Sequence, residues 1–396
     1  MWIANTLIGV PAMLRETTDE PNPGEFFPHT LSTNATYVGQ AINNSQETDA
    51  MRLQPLVKAV AGAAATFVLL GSVTAQEVTL KFHHIWPSAA MAPTQVIAPW
   101  CAKVDSESKG RIKCQVLHAM SGGGTPPQLV DRVKDGVDDL VITLPGYTAG
   151  RFPLVEVFEL PFMTNTAEAG AQASWEYLQK HAIKEFPGTK VLAIWVHDEG
   201  YVHTASKQIR TLDDFKGMKL RAPTRQTTKL LSKLGASPVG MPVTGVADAL
   251  SKGTIDGYVL PWEVIPAFKL HELSKFHTET HPSRPALYSA VFVMAMNQAR
   301  YDSLPADLKA VIDRNSGAAL SRQIGRTWDA SQADGRKAAE TRGNTRLILS
   351  PEETDRWAAA SASIRDEWVA EIDKRGGNGK AMLQDATALL SKYRTK

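Results

Sequence analysis

Leu140-Val141-Ile142-Thr143-Leu144 is a nearly continuous apolar run, held between Asp138-Asp139 and Pro145-Gly146. A strand with one wet face alternates polar and apolar residues; a run this uniform suits a central parallel strand buried on both faces. Such strands lie in sheets with helices on both sides, and the flanking sequence supplies the helices. Upstream, Pro126-Pro127 open a helix that stops at Gly136, proline being tolerated in a first turn. Before it, Ile112, Cys114 and Val116 alternate as a strand, residues 92–108 have helical spacing up to Gly110, and Val78–Phe82 is a strand. Downstream, residues 166–183 form a helix and Val191–Val196 a further buried strand.

The pattern then restarts. Asp213-Asp214 precede a turn into the strand that ends Lys219-Leu220-Arg221. A helix from about Arg225 to Leu234, a short helix over Val246–Lys252 stopped by Gly253, and strands over Ile255–Leu260 and Ser289–Met296 follow. From Pro305 the chain is predicted almost entirely helical, in segments 306–341, 351–374 and 380–393 broken at Gly343 and at Gly376-Gly377. Two successive β/α sets with a helical tail predict an α/β protein of two lobes, each a parallel-rich open sheet. A cleft is expected at the carboxyl ends of the strands.

Composition narrows the function. The chain has 396 residues, 43% hydrophobic and 21% charged, enough for two or three domains. Lys+Arg total 43 against 41 Asp+Glu, a net charge of +2, so no basic field exists to hold nucleic acid or an anionic membrane. Residues 59–71, AVAGAAATFVLLG, are too short to span a bilayer. Met51, Arg52 and Lys58 precede them and Val73-Thr74-Ala75 follows, the layout of a secretory signal. Residues 51–75 are therefore expected to be a signal peptide starting at Met51. Residues 1–50, polar and without sustained helix or strand period, are expected to be an upstream extension that is unstructured or not translated. The mature protein is expected to begin near Gln76, outside the cytoplasm. Export would permit a disulfide between the two cysteines, Cys101 and Cys114. With Cys101 on a helix and Cys114 on the next strand, nothing makes their Cβ vectors converge, and two separate buried thiols are expected.

Catalytic patterns are scarce. G-x-S-x-G, the Walker phosphate loop and H-E-x-x-H are all absent from the sequence, and Gly122-Gly123-Gly124 runs into Pro126-Pro127, which lack the N–H groups a phosphate nest needs. His83 and His84 point to opposite faces of a strand and cannot grip one metal. His197-Asp198-Glu199 is expected to be a polar loop at a strand end. Neither a metal nor a cofactor is expected.

The ordered set Gly110–Lys113, Asp138–Ile142, Phe158-Glu159-Leu160-Pro161-Phe162, Phe215–Arg221, Leu234–Pro238, Met241-Pro242, Ala249–Gly257 and Tyr301–Pro305 resembles the DctP-type solute-binding subunits of tripartite ATP-independent periplasmic (TRAP) transporters. The resemblance covers about residues 78–325. It implies a periplasmic, non-enzymatic protein of two α/β lobes with a long helix spanning both. It further implies closure on a small organic acid and docking on the small and large membrane subunits of a transporter. On that basis residues 76–200 plus about 287–325 form lobe I, and 201–286 plus about 326–396 form lobe II; a monomer is expected.

The resemblance places the family's ligand-binding arginine on Arg221, at the end of a strand where the cleft should lie. A guanidinium matches both oxygens of a carboxylate in parallel hydrogen bonds. Sialic-acid-binding relatives carry a second arginine where this chain has Val202, and an amide where it has Leu260; a less polar ligand, aromatic or lightly hydroxylated, is therefore expected. Trp86, Tyr147 and Trp262 follow three separate strands and are candidates to line the pocket. His84 and His203 could donate hydrogen bonds to the acid. Glu263 is expected to open a helix rather than face the cleft. Two other readings stay open: a secreted α/β enzyme acting on a small carboxylic acid, with His84 and His203 as its acid/base pair, and a sensor module feeding a membrane receptor.

Overall fold

A computed structural model describes residues 77–394; the expected signal peptide and upstream extension lie outside this range. Strands β1 (Val78–His84), β2 (Ile112–Leu117), β3 (Leu140–Thr143) and β4 (Thr189–Val196) come first. They are followed by β5 (Gly200–Thr204), β6 (Lys219–Ala222), β7 (Ser237–Gly240), β8 (Gly257–Pro261), β9 (Phe276–Glu279), β10 (Val291–Asn297) and β11 (Thr345–Ile348). They form two sheets, ordered β2-β1-β3-β10-β4 and β11-β9-β5-β8-β6-β7. The Leu140 run is the middle strand of the first sheet and is buried along its length.

Neither sheet is as parallel as expected. β10 runs antiparallel to both β3 and β4, and β5 antiparallel to both β8 and β9. The cause is connectivity. The chain leaves the first sheet after β4 and returns at β10, and the two strands that open these crossings, β5 and β10, enter reversed, whereas β11 joins β9 in parallel. Reversal places the start of β10 beside the end of β4, Val291 opposite Val196 and Phe292 opposite Trp195. Two crossing segments thus feed side chains to the same sheet edge.

The helix Ala318–Thr341 follows a break at 315–317. At about 1.5 Å per residue its 24 residues extend about 36 Å, enough to touch both sheets. Two glycines set the contacts. A Cβ on Gly325 would meet the Ala167 carbonyl at 2.5 Å, and one on Gly335 would meet the Trp262 carbonyl at 2.0 Å. Between them Trp328, fully buried, packs 5.3 Å from Trp195 and 6.4 Å from Trp86. β11 interrupts the tail, pairing with β9, and the last helix, Gly379–Tyr393, lies against the helix Ala167–Tyr177 of the first sheet's layer. Among the described residues no helix is long and apolar enough to cross a membrane.

The two thiols are not separate: Cys101 and Cys114 form a disulfide, with Cα atoms 5.8 Å apart. The helix Ala98–Glu107 packs on β2, which brings the two positions together across the layer, a tertiary contact that local spacing does not encode.

Candidate functional site

A cavity between the sheets is lined by Ile85, Trp86, Leu144 and Tyr147 from the ends of β1 and β3, and by His197 just past β4. Arg221, Leu260, Pro261 and Glu263 come from the ends of β6 and β8, Tyr288 from just before β10 and Phe292 from its start. Most of these positions are strand carboxyl ends; the β10 residues join them because that strand is reversed. In this closed arrangement the cavity holds about 20 Å³, room for about one water.

Arg221 is fully buried. Its Nε donates to the Met241 carbonyl at 2.9 Å and Nη1 to the Val259 carbonyl at 3.1 Å, which fixes the plane of the guanidinium. Burial lowers its pKa, opposed by the Tyr147 and Tyr288 phenols beside it. Among the described residues no carboxylate pairs with it. His197 is not a second cation, because burial drives its pKa down to about 4. Arg221 is therefore the sole cation of a mostly apolar chamber. Its aromatic wall is continuous: Trp86 stacks on Phe292 at 5.6 Å, and Phe292 on Trp195 at 5.6 Å.

Four of the seven residues singled out from sequence meet here: Arg221, Trp86, Tyr147 and Leu260. Three do not. Trp262 lies between Pro261 and Glu263, so it turns to the opposite side, where its Nε1 donates to Glu279 Oε1 at 2.9 Å. His203 stacks on Tyr258 behind the second sheet, its Nδ1 2.7 Å from His277 Nδ1 and its Nε2 2.9 Å from the Leu260 carbonyl. His84 is bound to His118, Nε2 to Nδ1 at 3.0 Å. The two histidines sit on different sheets, and the acid/base pair that an enzyme would need does not form. Glu263 does precede a helix, Val264–Ala267, but it also lines the cavity, contrary to expectation. His197 and Tyr288 were missed because they lie on crossing segments, where no periodicity marks which side faces the cleft, and Phe292 because β10 is buried on both faces and shows no alternation.

The lobes touch around the rim. Tyr147 Oη accepts from the Val243 amide at 3.2 Å. Arg225, on the helix after β6, donates through Nε to both oxygens of Glu156 at 2.7 and 2.6 Å and through Nη1 to Glu371 at 2.6 Å. Gln226 Nε2 adds a 2.9 Å bond to Glu156. Beside them Glu159 is pushed up to about 8 by burial and by Glu156. Among the described residues no cluster of His, Cys, Asp and Glu could hold a metal ion.

The family model for bacterial extracellular solute-binding protein, family 7, matches residues 82–371. The chain belongs to this family. It is a two-lobed DctP-type TRAP solute-binding subunit. Among solved structures, a TRAP solute-binding protein from Rhodoferax ferrireducens, in complex with copurified benzoate, is 49% identical with a TM-score of 0.79; the match covers 80% of this chain and 98% of that one. A marine metagenome TRAP protein specific for aromatic acid ligands, in complex with 3-hydroxybenzoate, is 47% identical with a TM-score of 0.79, over 81% of this chain and 100% of that one. A TRAP periplasmic protein from Bordetella bronchiseptica with bound (R)- and (S)-mandelate is 26% identical with a TM-score of 0.74, over 80% and 100%.

Proposed function

We propose that this family 7 protein is exported by the signal beginning at Met51, captures an aromatic monocarboxylate between its lobes, and presents the closed complex to TRAP membrane subunits. The observation that carries the ligand class is Arg221: a fully buried guanidinium without a carboxylate partner among the described residues. Leaving a charge so placed is costly unless an anion completes it. A carboxylate takes the free edge of the fork, and low local dielectric strengthens the pair. Trp86 and Phe292 suit a flat ring. Leu260 disfavours a polyol, whose hydroxyls would lose water without gaining partners. The relatives bound to benzoate, 3-hydroxybenzoate and mandelate support the same class.

Mechanism follows from the cavity's size. A ring-bearing acid requires more room than about 20 Å³, so it enters an open form and the walls close on it at a wider setting. Closure is hinge motion about the crossing segments, favoured by contacts that only the closed form makes. Calorimetry on protein beginning at Gln76 tests the proposal. Benzoate and 3-hydroxybenzoate should bind and galactonate should not; a thermal-shift screen in which only sugar acids stabilise the protein would reject the aromatic reading.

A further inference from the structure

Around the cavity, four buried oxygens receive no hydrogen bond from an amide, hydroxyl or cationic donor among the described residues: Asp198 Oδ1 and Oδ2, Glu263 Oε2 and Tyr288 Oη. Glu263 and Tyr288 line the cavity; Asp198 does not, but lies in contact with Glu263. Besides Glu263, the charged groups acting on Asp198 are the acids Asp329 and Glu199, both of like sign, while Arg221 acts on Tyr288's phenol. Two touching carboxylates without a cation between them cannot both ionise, so the pair holds a proton in common. Burial acts in the same sense, raising Asp198 far above the carboxylate range and Glu263 to about 7.

The shared proton occupies one accepting position of Glu263, and the Trp328 indole, 3.2 Å from Oε1, occupies another. A carboxylate offers about four such positions, so Glu263 still accepts toward the cavity. The Tyr288 hydroxyl offers both a proton and a lone pair. Arg221, Tyr288 and Glu263 thus line one cavity whose remaining surface is mainly apolar, with Tyr288 feeling both of the others.

We propose that Tyr288 and the Asp198–Glu263 pair form a second polar subsite, which takes a ring hydroxyl of the acid whose carboxylate sits on Arg221. The hydroxyl donates to the Glu263 carboxylate and accepts from Tyr288 Oη. A second carboxylate at that place is repelled by the acid pair, so the subsite also excludes aromatic dicarboxylates. The inference rests on the aromatic-monocarboxylate reading above and adds to it the substituent and the residues that recognise it.

Calorimetry at pH 7.5 with benzoate, its 2-, 3- and 4-hydroxy derivatives and isophthalate tests this on wild type, Tyr288→Phe and Glu263→Met. The readout is the ratio of the benzoate to the best hydroxybenzoate dissociation constant on one and the same protein. In wild type that ratio should be about tenfold or more, as one buried hydrogen-bonded pair implies. Each substitution should bring it toward unity, with isophthalate excluded from wild type. A wild-type ratio near one, or a ratio that both variants leave unchanged, overturns the subsite while leaving the ligand class intact. If Glu263→Met does not fold, Tyr288→Phe alone decides. Failure of all the benzoates to bind overturns the ligand class and the subsite together.

Discussion

Arg225→Met removes one of the contacts that tie the second lobe to the first. In wild type Glu156 is 2% exposed and Arg225 is 21% exposed, and the guanidinium meets both oxygens of Glu156 as well as Glu371. Breaking a buried ion pair by removing one partner costs about 3–5 kcal/mol, because the other charge is left without compensation. Two features reduce that here. Arg225 is partly in water, and Gln226 remains bonded to Glu156. A cost of about 2–3 kcal/mol is the resulting expectation. It falls on the closed form, since separating the lobes gives both side chains to solvent. At about 1.4 kcal/mol per decade, benzoate affinity should fall about 30- to 140-fold, mainly through faster release. Arg225→Lys keeps the charge but not the fork and should lie between. Calorimetry gives the affinity and stopped-flow displacement the release rate. An Arg225→Met protein that holds benzoate within threefold of wild type would refute the latch.

The remaining predictions concern stability. Replacing both Cys101 and Cys114 by Ala opens a loop with sequence separation 13 and should cost about 3 kcal/mol, read as a lower urea midpoint with unchanged slope; an unshifted midpoint contradicts it. Burial pushes Glu159 up to about 8 and Glu185 and Glu263 up to about 7, so each contributes stability present below about 4.5 and lost as pH rises through its folded value. His197 and His277 are driven down to about 4 and His84 to about 3, again by burial; their contribution is full above about 6.5 and lost as pH falls toward those values. Above pH 6.5 only the acids still act, and stability should decline from pH 6.5 to 8.5, less steeply in Glu159→Gln. Urea midpoints that rise over that interval would contradict this.

What the sequence made legible follows the range of each signal. The uniform Leu140 run, the helix stops at Gly110 and Gly136, and the strand ending at Arg221 are local, and each has its counterpart in the fold. Arg221 and Leu260 came from the family resemblance, while the same local logic put Trp86 and Tyr147 at the cleft. It misplaced Trp262, since a residue one step along a strand end turns to the other face. Short strands such as β5 and β11 escaped because four or five residues with mixed pattern carry little period. Tyr288, Phe292 and His197 reach the cavity only because the chain crosses between sheets and β10 runs backward, and the Cys101–Cys114 bond depends on helix-on-sheet packing. Those are properties of the assembled molecule.

The proposed capture depends on a single side chain, Arg221, drawing an anion between two lobes. The most direct measurement is benzoate calorimetry on Arg221→Met beside wild type, with circular dichroism to compare their folds. A folded variant with benzoate binding lost by about a hundredfold or more is the predicted result, the cost of deleting one buried charge-assisted pair. A folded Arg221→Met protein that binds benzoate as wild type does would contradict it.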